Sequence, residues 1–387
     1  MKAEMTPRER VLATLNHQEP DRVPLDLGQA GGDGITAVAY RNLIRHLGLP
    51  EREIKIKHKF AQEALVDEDV LRRFRIDFRF VEPGGADGWT DIPIGANAYQ
   101  DEWGVVRTMP PDSYYYDLTG SPMAKNGSMS AIENHRWPDP DAPGRYRGLR
   151  ERARYLHEET DYAVVANLNC SFFLRCFELR GWSNFYADLA ANREFAEALM
   201  DRYLDIRLRI AELAMEEIGD YIDIVMVTSD DLGMIDRPLI SPAMYRELVK
   251  PRQKKTFDFF KARTDAKLFY HCDGAVRPLI PDFIELGVDA LNPIQLNATG
   301  MGDTKALKAD FGEKLTFWGA IDTHHVLPTG TPEDVRAEVK QRMIDLAPGG
   351  GYVVCSVHHI QPEVPPENVV AMFDSAYELG RYPIALG

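Results

Sequence analysis

The stretch that decides the fold is Lys267-Leu268-Phe269-Tyr270-His271-Cys272-Asp273-Gly274, which has the pattern of a buried strand ending in polar side chains. Parallel α/β enzymes carry their chemistry at the carboxyl ends of their strands, where the loops begin. A second stretch, Gly351-Tyr352-Val353-Val354-Cys355, has the same form and leads into Ser356-Val357-His358-His359. Two such strand ends from distant parts of the chain predict one shared site.

Strand-like and helix-like segments alternate along most of the chain. From residue 163 onward, short apolar runs are followed by stretches whose apolar residues return every three or four positions. Two further strand-like runs precede this part. The predicted strands are 22–27, 77–81, 163–168, 221–227, 267–271, 288–292, 315–319 and 352–355. Eight strands joined by right-handed crossovers predict an α/β fold, a closed (β/α)₈ TIM barrel.

Helices predicted between these strands begin at capping sequences. Ser241-Pro242 and Thr331-Pro332 each combine a capping hydroxyl with a proline in the first turn. The predicted helix at 6–15 precedes the first strand, so we expect it to cover the bottom of the barrel. The other predicted helices are 183–218, 241–263, 275–286, 304–311, 332–346 and 366–379.

The region 84–145 interrupts the alternation and is rich in Gly, Pro, Asp and Tyr. Residues 99–107 within it have the pattern of one arm of a β-hairpin. The apolar content of this region is too thin for a core of its own. We therefore predict one barrel spanning 1–387, with 84–145 inserted on its top face.

The composition excludes several classes of protein. A net charge of −15 argues against nucleic-acid or anionic-membrane binding, because no basic face is there to displace counterions. The four cysteines lack CxxC spacing and are predicted to be reduced thiols. The charged N-terminal segment has no apolar signal core, and no run approaches the ~20 apolar residues of a membrane span. We expect a cytoplasmic protein.

His271 and Asp273 are candidate metal ligands at the end of their strand. Because strand side chains alternate, these two can share the side that faces the barrel mouth while Cys272 faces away. Histidine and aspartate both bind zinc, and His358 or His359 can supply a third ligand. The structural alternative is that His271 hydrogen-bonds within the core and Asp273 caps the following helix.

Two other loops carry candidate functional side chains. His358 and His359 lie in the last βα loop, which commonly borders the substrate of a barrel enzyme, although a surface pair is the alternative. Asp230 and Asp231 follow the strand at 221–227, and adjacent carboxylates are costly unless a cation or proton offsets them. We expect one to cap a turn and the other to face the mouth as a general acid or base.

Gln29 and Glu178 are predicted to bind substrate. Gln29 follows the first strand in a short polar loop that can reach the mouth. Other polar or aromatic candidates of the same rank are Asp87, Asp101, Glu102 and Trp103. The sequence contains no GxxxxGK[ST], GxSxG, HExxH or dinucleotide-binding glycine pattern, which excludes the usual nucleotide, hydrolase and zincin sites.

Short motifs are spread over the whole chain. They are Met5-Thr6-Pro7-Arg8-Glu9-Arg10 with Asp21-Arg22-Val23-Pro24, Asp101-Glu102-Trp103-Gly104-Val105, Asp230-Asp231-Leu232-Gly233, Ile240-Ser241-Pro242 with Tyr245, and Pro365-Pro366-Glu367-Asn368. In this order and spacing they resemble the uroporphyrinogen decarboxylase superfamily, and within it the branch of cobalamin-linked methyltransferases. The resemblance implies a (β/α)₈ barrel, in agreement with the strand count.

The loop after the first strand departs from the decarboxylases of this superfamily. Those enzymes carry Met-Arg-Gln-Ala-Gly-Arg there, and the arginines hold substrate carboxylates. The equivalent here is Leu27-Gly28-Gln29-Ala30-Gly31-Gly32, which has neither arginine. A porphyrinogen with several carboxylates would lack its counter-charge, so haem-pathway decarboxylation is not expected.

Methyltransferases of this branch bind zinc through a His-x-Cys pair and a further Cys. The resemblance places His271, Asp273 and His358 at these positions, with Cys272 as the alternative to Asp273. Nitrogen and oxygen ligands leave zinc a stronger Lewis acid than thiolates do, which suits an oxygen leaving group. We predict a zinc-dependent methyltransferase that moves a methyl group from a small methylated or methoxylated compound toward a corrinoid (cobalamin) protein. Its proton source would be Asp230 or Asp231.

Two other functions fit the same sequence. One is a decarboxylase or lyase acting on a different carboxylated small molecule without metal. The other is a non-catalytic barrel that binds a tetrapyrrole or corrinoid. Under every alternative we expect a small-molecule ligand and no nucleic-acid or membrane partner. Exposed aromatic residues such as Tyr114, Tyr115 and Tyr116 permit a homodimer.

Overall fold

A computed structural model describes residues 4–384 of the chain. Its strands are β1 Ile56–His58, β2 Glu63–Ala64, β3 Phe78–Val81, β4 Ile92–Gly95, β5 Ala98–Gln100, β6 Val106–Thr108, β7 Asp117–Gly120, β8 Ala163–Asn167, β9 Ile224–Thr228, β10 Lys267–His271, β11 Ala290–Asn292, β12 Thr316–Ile321 and β13 Tyr352–Ser356. Its helices are α1 Pro7–Leu15, α2 Ala37–His46, α3 Glu68–Arg73, α4 Met129–Glu133, α5 Leu149–Glu158, α6 Phe173–Arg180, α7 Trp182–Ala191, α8 Arg193–Ile218, α9 Pro242–Met244, α10 Lys250–Lys261, α11 Ile280–Leu286, α12 Thr304–Phe311, α13 Val326–Thr329, α14 Pro332–Leu346 and α15 Pro366–Leu379.

Seven strands form one parallel sheet in the order β3-β8-β9-β10-β11-β12-β13. The segment around Leu25 joins the two edges of this sheet. On one side, Asp26 N donates to Val354 O and Val354 N donates to Pro24 O, both at 3.0 Å. On the other side, Asp77 N donates to Leu25 O at 3.0 Å. The predicted (β/α)₈ barrel is confirmed.

The inside of the barrel is filled by its own apolar layer. The Trp318 ring packs at its centre, with its centroid 4.6 Å from that of Phe78 and 5.0 Å from that of Phe269. Val11 and Leu15 of α1 belong to the same buried cluster. Helix α1 therefore closes the bottom of the barrel, as the sequence predicts.

The predicted strand 22–27 is not a continuous strand. Pro24 has no backbone N–H, and the N–H of Leu25 donates to Asp77 Oδ2 at 2.9 Å instead of to a neighbouring strand. The segment pairs only through isolated bridges, Arg22 with Arg381 and Leu25 with Val354. The segment was predicted correctly to occupy one of the eight strand positions of the barrel. The prediction that it forms a regular ladder of backbone hydrogen bonds was wrong.

Several helix predictions need correction. The helix predicted at 183–218 is two helices, α7 and α8, because Asn192 leaves the helical conformation (φ −139°, ψ 54°). The Asn192 side chain then donates to Gly127 O at 2.7 Å. Helix α6 was not predicted, and the helix predicted at 241–263 contains a π-helical turn at Tyr245–Val249. The predictions 304–311, 332–346 and 366–379 match α12, α14 and α15.

The inserted region contains more strand than one hairpin. Strands β4, β5, β6 and β7 form a four-stranded antiparallel sheet in chain order. Of the three tyrosines proposed as exposed, Tyr114 is exposed, whereas Tyr115 and Tyr116 are partly buried. The Tyr116 ring packs edge-on against Tyr99, with a centroid distance of 4.9 Å.

Two findings bear on the expectations from composition. All four cysteines, Cys170, Cys176, Cys272 and Cys355, are buried free thiols. None of the helices within residues 4–384 combines the length and the apolar character that crossing a lipid bilayer requires.

A buried carboxylate, Asp77, holds the closure of the barrel together. Arg10 Nη1 donates to it at 2.7 Å, and two nitrogens of Arg22 donate to it at 2.9 Å each. Together with the N–H of Leu25, these bonds tie α1, the segment around Leu25 and the start of β3 to one side chain. Arg10 and Arg22 are themselves buried, so the pairing offsets the cost of taking their charges out of water.

We expect Asp77→Ala to lower the free energy of unfolding by about 3–5 kcal/mol, because two buried guanidinium groups would lose their counter-charge. The measurement is urea unfolding followed by far-UV circular dichroism. Asp374→Ala is the matched control, because its pair with Arg73 is about 38% exposed and is expected to contribute at most about 1 kcal/mol. Equal losses in the two variants would contradict the assignment.

Candidate active site

The ends of β10 and β13 bring three predicted ligands together at the barrel mouth. His271 Nε2 lies 3.4 Å from Asp273 Oδ2, and His358 Nε2 lies 3.7 Å from the same oxygen. One donor atom from each of the three residues lies within 4.8 Å of the other two. Two segments separated by more than eighty residues thus converge on one cluster, which we call the His/Asp cluster.

The His271 ring is oriented by Asn292, the last residue of the neighbouring strand β11. Asn292 pairs in register with His271, and its Oδ1 lies 2.6 Å from His271 Nδ1. Because Asn292 Nδ2 donates to Trp318 O at 3.1 Å, its Oδ1 must accept the proton on His271 Nδ1. In the neutral ring, Nε2 is then unprotonated and available to a metal.

A glycine allows the first loop to lie against His271. A Cβ atom on Gly32 would stand 2.4 Å from the His271 ring, and the φ of Gly32 is +89°. Any side chain at Gly32 would therefore displace the imidazole as well as strain the backbone. The loop at residues 27–32 therefore packs closely against the His271 ring of the His/Asp cluster.

The charges in the cluster are coupled. Burial opposes the positive charge on His271, but the carboxylates of Asp273 and Asp231 outweigh it and raise the pKa of His271 to about 9. Burial would raise the pKa of Asp273, but His271 lowers it. Burial and the neighbouring His359 lower the pKa of His358 to about 3. At neutral pH the metal-free cluster is an imidazolium–carboxylate pair beside a neutral imidazole.

The cluster suits a zinc ion in ligand type, and its three ligand atoms lie within 4.8 Å of one another. Tetrahedral zinc with ligand bonds of about 2.0–2.2 Å has ligand atoms about 3.3–3.6 Å apart, close to the separations around Asp273 Oδ2. Two imidazoles and one carboxylate leave a fourth position for a reacting group, as catalytic zinc sites do. Cys272 does not compete, because its buried Sγ accepts from Leu232 N at 3.2 Å.

The adjacent carboxylates Asp230 and Asp231 have different environments. Asp230 is fully buried and accepts from the backbone N–H groups of Phe172, Phe173 and Leu174 at 2.9–3.3 Å, at the start of α6. Burial nevertheless raises the pKa of Asp230 to about 6. Its predicted catalytic role is therefore corrected to that of a helix cap.

Asp231 is the carboxylate that faces the site. Its side chain is one-third exposed, and Oδ1 accepts from Asp273 N at 2.9 Å and lies 3.8 Å from His271 Nε2. Burial and the adjacent Asp273 carboxylate raise the pKa of Asp231 to about 7. A carboxyl group with such a pKa can give up a proton at neutral pH, which is what a general acid requires.

A cavity of about 490 Å³ extends from the His/Asp cluster into the barrel mouth, and we call it the inner cavity. His271, His358 and Asp231 line it, together with Glu178 and residues of the inserted region. Among the weaker candidates Asp101 and Trp103 also line it, whereas the Asp87 carboxylate pairs with Arg147 and Glu102 pairs with Arg145.

Gln29 does not have the predicted role in substrate binding. The side chain of Gln29 is buried, and its Nε2 donates to Leu27 O at 3.1 Å. Its backbone N–H donates to Asp26 Oδ1 at 3.1 Å. The amide therefore stabilises the loop that carries Gly31 and Gly32, and those two glycines line the inner cavity.

A second, outer cavity of about 790 Å³ also borders His358. His358 and His359 line both cavities, and Asp273 lines the outer one. The exposed side chains of Met234 and Ile235 stand at its rim. The His/Asp cluster is thus reached from two cavities.

Comparison with known proteins identifies the family. The family model for uroporphyrinogen decarboxylase matches residues 113–379, which is more than half of the chain. The chain belongs to this family. A uroporphyrinogen decarboxylase from Alkalilimnicola ehrlichii is 35% identical over 72 residues, which cover 18% of this chain and 19% of that enzyme. The match to that relative thus spans about a fifth of its length.

The family assignment agrees with the fold. The structure of a methyltransferase from Methanosarcina mazei superposes with a TM-score of 0.63 at 20% identity, and the match covers 97% of this chain and 99% of that one. At this identity the likeness shows the barrel fold alone. Membership in the uroporphyrinogen decarboxylase family indicates an enzyme.

The sequence did not reveal a buried ionic cluster beside the site. Glu63 Oε2 lies 3.3 Å from His359 Nε2 and 3.6 Å from His58 Nε2, and Glu63 Oε1 lies 3.4 Å from Lys57 Nζ. Burial opposes the charge on Glu63, but Lys57 and the histidines lower its pKa. His359, which the sequence offered as a metal ligand, is held in this cluster, next to His358 (Nδ1 to Nδ1, 3.1 Å).

We expect Asp230→Ala and Asp231→Ala to separate a structural from a functional carboxylate. Asp230→Ala leaves three backbone donors of α6 without a partner and should lower the free energy of unfolding by about 1–3 kcal/mol. Asp231→Ala, at a partly exposed side chain, should change it by less than about 1 kcal/mol. Chemical unfolding checks both values, and a reversed order would refute the assignment of Asp230 as the cap.

Proposed function

We propose that this protein is a zinc-dependent methyltransferase that moves a methyl group from a small methylated or methoxylated compound to a corrinoid carried by a second protein. The observation that supports it is the His/Asp cluster at the boundary of two cavities. Two cavities that share residues of this cluster would give the donor and the acceptor separate places.

Two features favour methyl transfer over decarboxylation of a porphyrinogen. The loop after the first strand has no arginine to bind several carboxylates, and Gly32 packs against His271 there. The likeness in fold to the Methanosarcina mazei methyltransferase extends over nearly the whole chain and is compatible with this choice.

In the proposed reaction, the bond between the methyl carbon and the substrate oxygen breaks, and its electron pair stays on the oxygen. The acceptor supplies the electron pair for the new bond to carbon. Zinc, when bound, is a Lewis acid that stabilises negative charge on the departing oxygen. Asp231 delivers the proton that this oxygen needs, so the demethylated product leaves as a neutral hydroxyl compound.

The protein side chains have separate tasks in this scheme. His271, Asp273 and His358 hold the metal, and Asn292 fixes the His271 ring so that Nε2 faces it. The Asp273 N–H donates to Asp231 and keeps that carboxyl group beside the cluster. The outer cavity provides the approach for the corrinoid, which enters as a substrate.

We expect zinc to bind with a stoichiometry of about one and with an affinity that rises with pH. Because the pKa of His271 is raised to about 9, zinc must displace its proton at any lower pH. The affinity should therefore rise roughly tenfold per pH unit between about pH 6 and 8. Calorimetry at pH 7 in two buffers of different protonation enthalpy should show about one proton released per zinc.

Single substitutions control for binding elsewhere on the protein. His271→Ala and His358→Ala should each weaken zinc binding by far more than tenfold, since each removes a ligand. His324→Ala is the matched control, because His324 also lines the outer cavity but its side chain is 45% exposed and outside the cluster. One equivalent of tightly held zinc in the His271 and His358 variants would contradict the site.

The function is tested with reduced cobalamin as the acceptor and a panel of methyl ethers and methylated amines as donors. Loss of the Co(I) absorbance should require both donor and zinc-loaded protein, and should stop after chelation. Asp231→Asn should slow the reaction by about 10²–10⁴-fold, the usual effect of losing a general acid. Asp236→Asn, at an exposed carboxylate of the same loop, should have little effect. A rate unchanged by chelation would contradict the proposal.

A further inference from the structure

The inner cavity carries a group of residues that the proposed chemistry does not use. Five aromatic side chains line it, namely Phe60, Trp103, Tyr115, Trp182 and Tyr203. The rings of Trp103 and Tyr203 stack with a centroid distance of 4.2 Å at 30°. Phe60 is 40% exposed and Trp182 is 46% exposed, so both offer apolar surface to a ligand. Such walls favour a flat, unsaturated molecule.

Arg175 lines the same cavity, and most of the N–H donors of its guanidinium group have no partner in the described part of the chain. Its guanidinium donates once, from Nη1 to Glu178 Oε2 at 2.8 Å, and its side chain is 28% exposed. The other four N–H groups of Arg175 have no hydrogen-bond partner within residues 4–384. Glu178 also pairs with Arg107, at 2.7 Å, and so neutralises Arg175 only in part.

Nearby charges leave a positive surplus in this part of the cavity. Arg207 also lines it, and its guanidinium donates to the backbone carbonyls of Leu168 and Asn169 at 2.7–3.1 Å. Three guanidinium groups, those of Arg107, Arg175 and Arg207, thus stand against two carboxylates, those of Glu178 and Asp101.

The remaining acidic residues of the lining do not cancel this surplus. Glu63 pairs with Lys57, burial raises the pKa of Glu82, and Asp231 lies beside His271, with 3.8 Å between its Oδ1 and Nε2 of that ring. An unpaired guanidinium edge in a half-buried, aromatic-walled space is a strong site for a carboxylate, which can accept two parallel N–H bonds from it.

We propose, on the basis of the methyl transfer function above, that the methyl donor is a methoxylated aromatic carboxylate. Its carboxylate binds the open edge of Arg175, its ring contacts the aromatic walls, and its methoxy group faces the His/Asp cluster. A single-ring compound fits a cavity of about 490 Å³.

The chemistry of the leaving group agrees with this substrate class. When the methyl–oxygen bond of an aryl ether breaks, the electron pair stays on a phenolate, and the acceptor takes the methyl group. A phenol has a pKa of about 10, so it leaves far more readily than the alkoxide of an ordinary methyl ether. One proton then gives the phenol as product.

The test compares 4-methoxybenzoate with the uncharged 4-methoxybenzyl alcohol, which has the same ring and methoxy group. Calorimetric titration of the zinc-free protein measures binding without any reaction. The wild-type protein should bind the carboxylate at least tenfold more tightly. Arg175→Met should weaken 4-methoxybenzoate about 10- to 100-fold and change binding of the alcohol by less than about threefold. Arg175→Lys keeps the positive charge but lacks the planar guanidinium. Its affinity for 4-methoxybenzoate should therefore lie between that of the wild-type protein and that of Arg175→Met.

Arg147→Met is the matched control, because Arg147 is 73% exposed and pairs with Asp87 outside the cavity. Equal losses for both ligands in Arg175→Met, or equal binding of both ligands by the wild-type protein, would overturn the assignment. If Arg175→Met does not fold, the wild-type preference and Arg175→Lys decide the question.

Methyl transfer to reduced cobalamin separates this inference from the proposed function. Arg175-dependent binding of 4-methoxybenzoate without methyl transfer would uphold the carboxylate site and overturn the methyl transfer. Transfer from an uncharged donor that is unchanged in Arg175→Met would uphold the methyl transfer and overturn the carboxylate site.

Discussion

The buried pairing of Asp77 with Arg10 and Arg22 is the constraint on which the rest of the structure depends. The segment around Leu25 has too few backbone bonds to form a regular strand, so a side chain must hold it between the two edges of the sheet. That segment leads directly into the loop that packs against His271. The geometry of the His/Asp cluster therefore depends on an ionic contact near the opposite end of the barrel.

Periodicity and strand alternation made much of this architecture predictable. Hydrophobic strands flanked by capped helices are local signals, and α12, α14 and α15 begin and end where those signals lie. The side-chain alternation of a strand also predicted that His271 and Asp273 would share a side and that Cys272 would not. The convergence with His358 followed because the carboxyl ends of parallel strands meet at one rim.

What the sequence did not reveal depends on contacts between distant segments. Asn292 orients His271 through the register of two strands, and Glu63 lies beside His359 although almost three hundred residues separate them. Asp230 and Asp231 are equivalent in sequence, and only the position of α6 decides which of them is a cap. The helical break at Asn192 depends on a carbonyl from another loop.

His358 and His359 line both the inner and the outer cavity, so the two spaces share these side chains. Under the proposed methyl transfer, a donor held in the smaller chamber would leave the larger one free for the acceptor. Their order of arrival then need not be fixed, and neither has to depart before the other enters. Under the proposed function, turnover would then pass through a ternary assembly of the protein with both compounds.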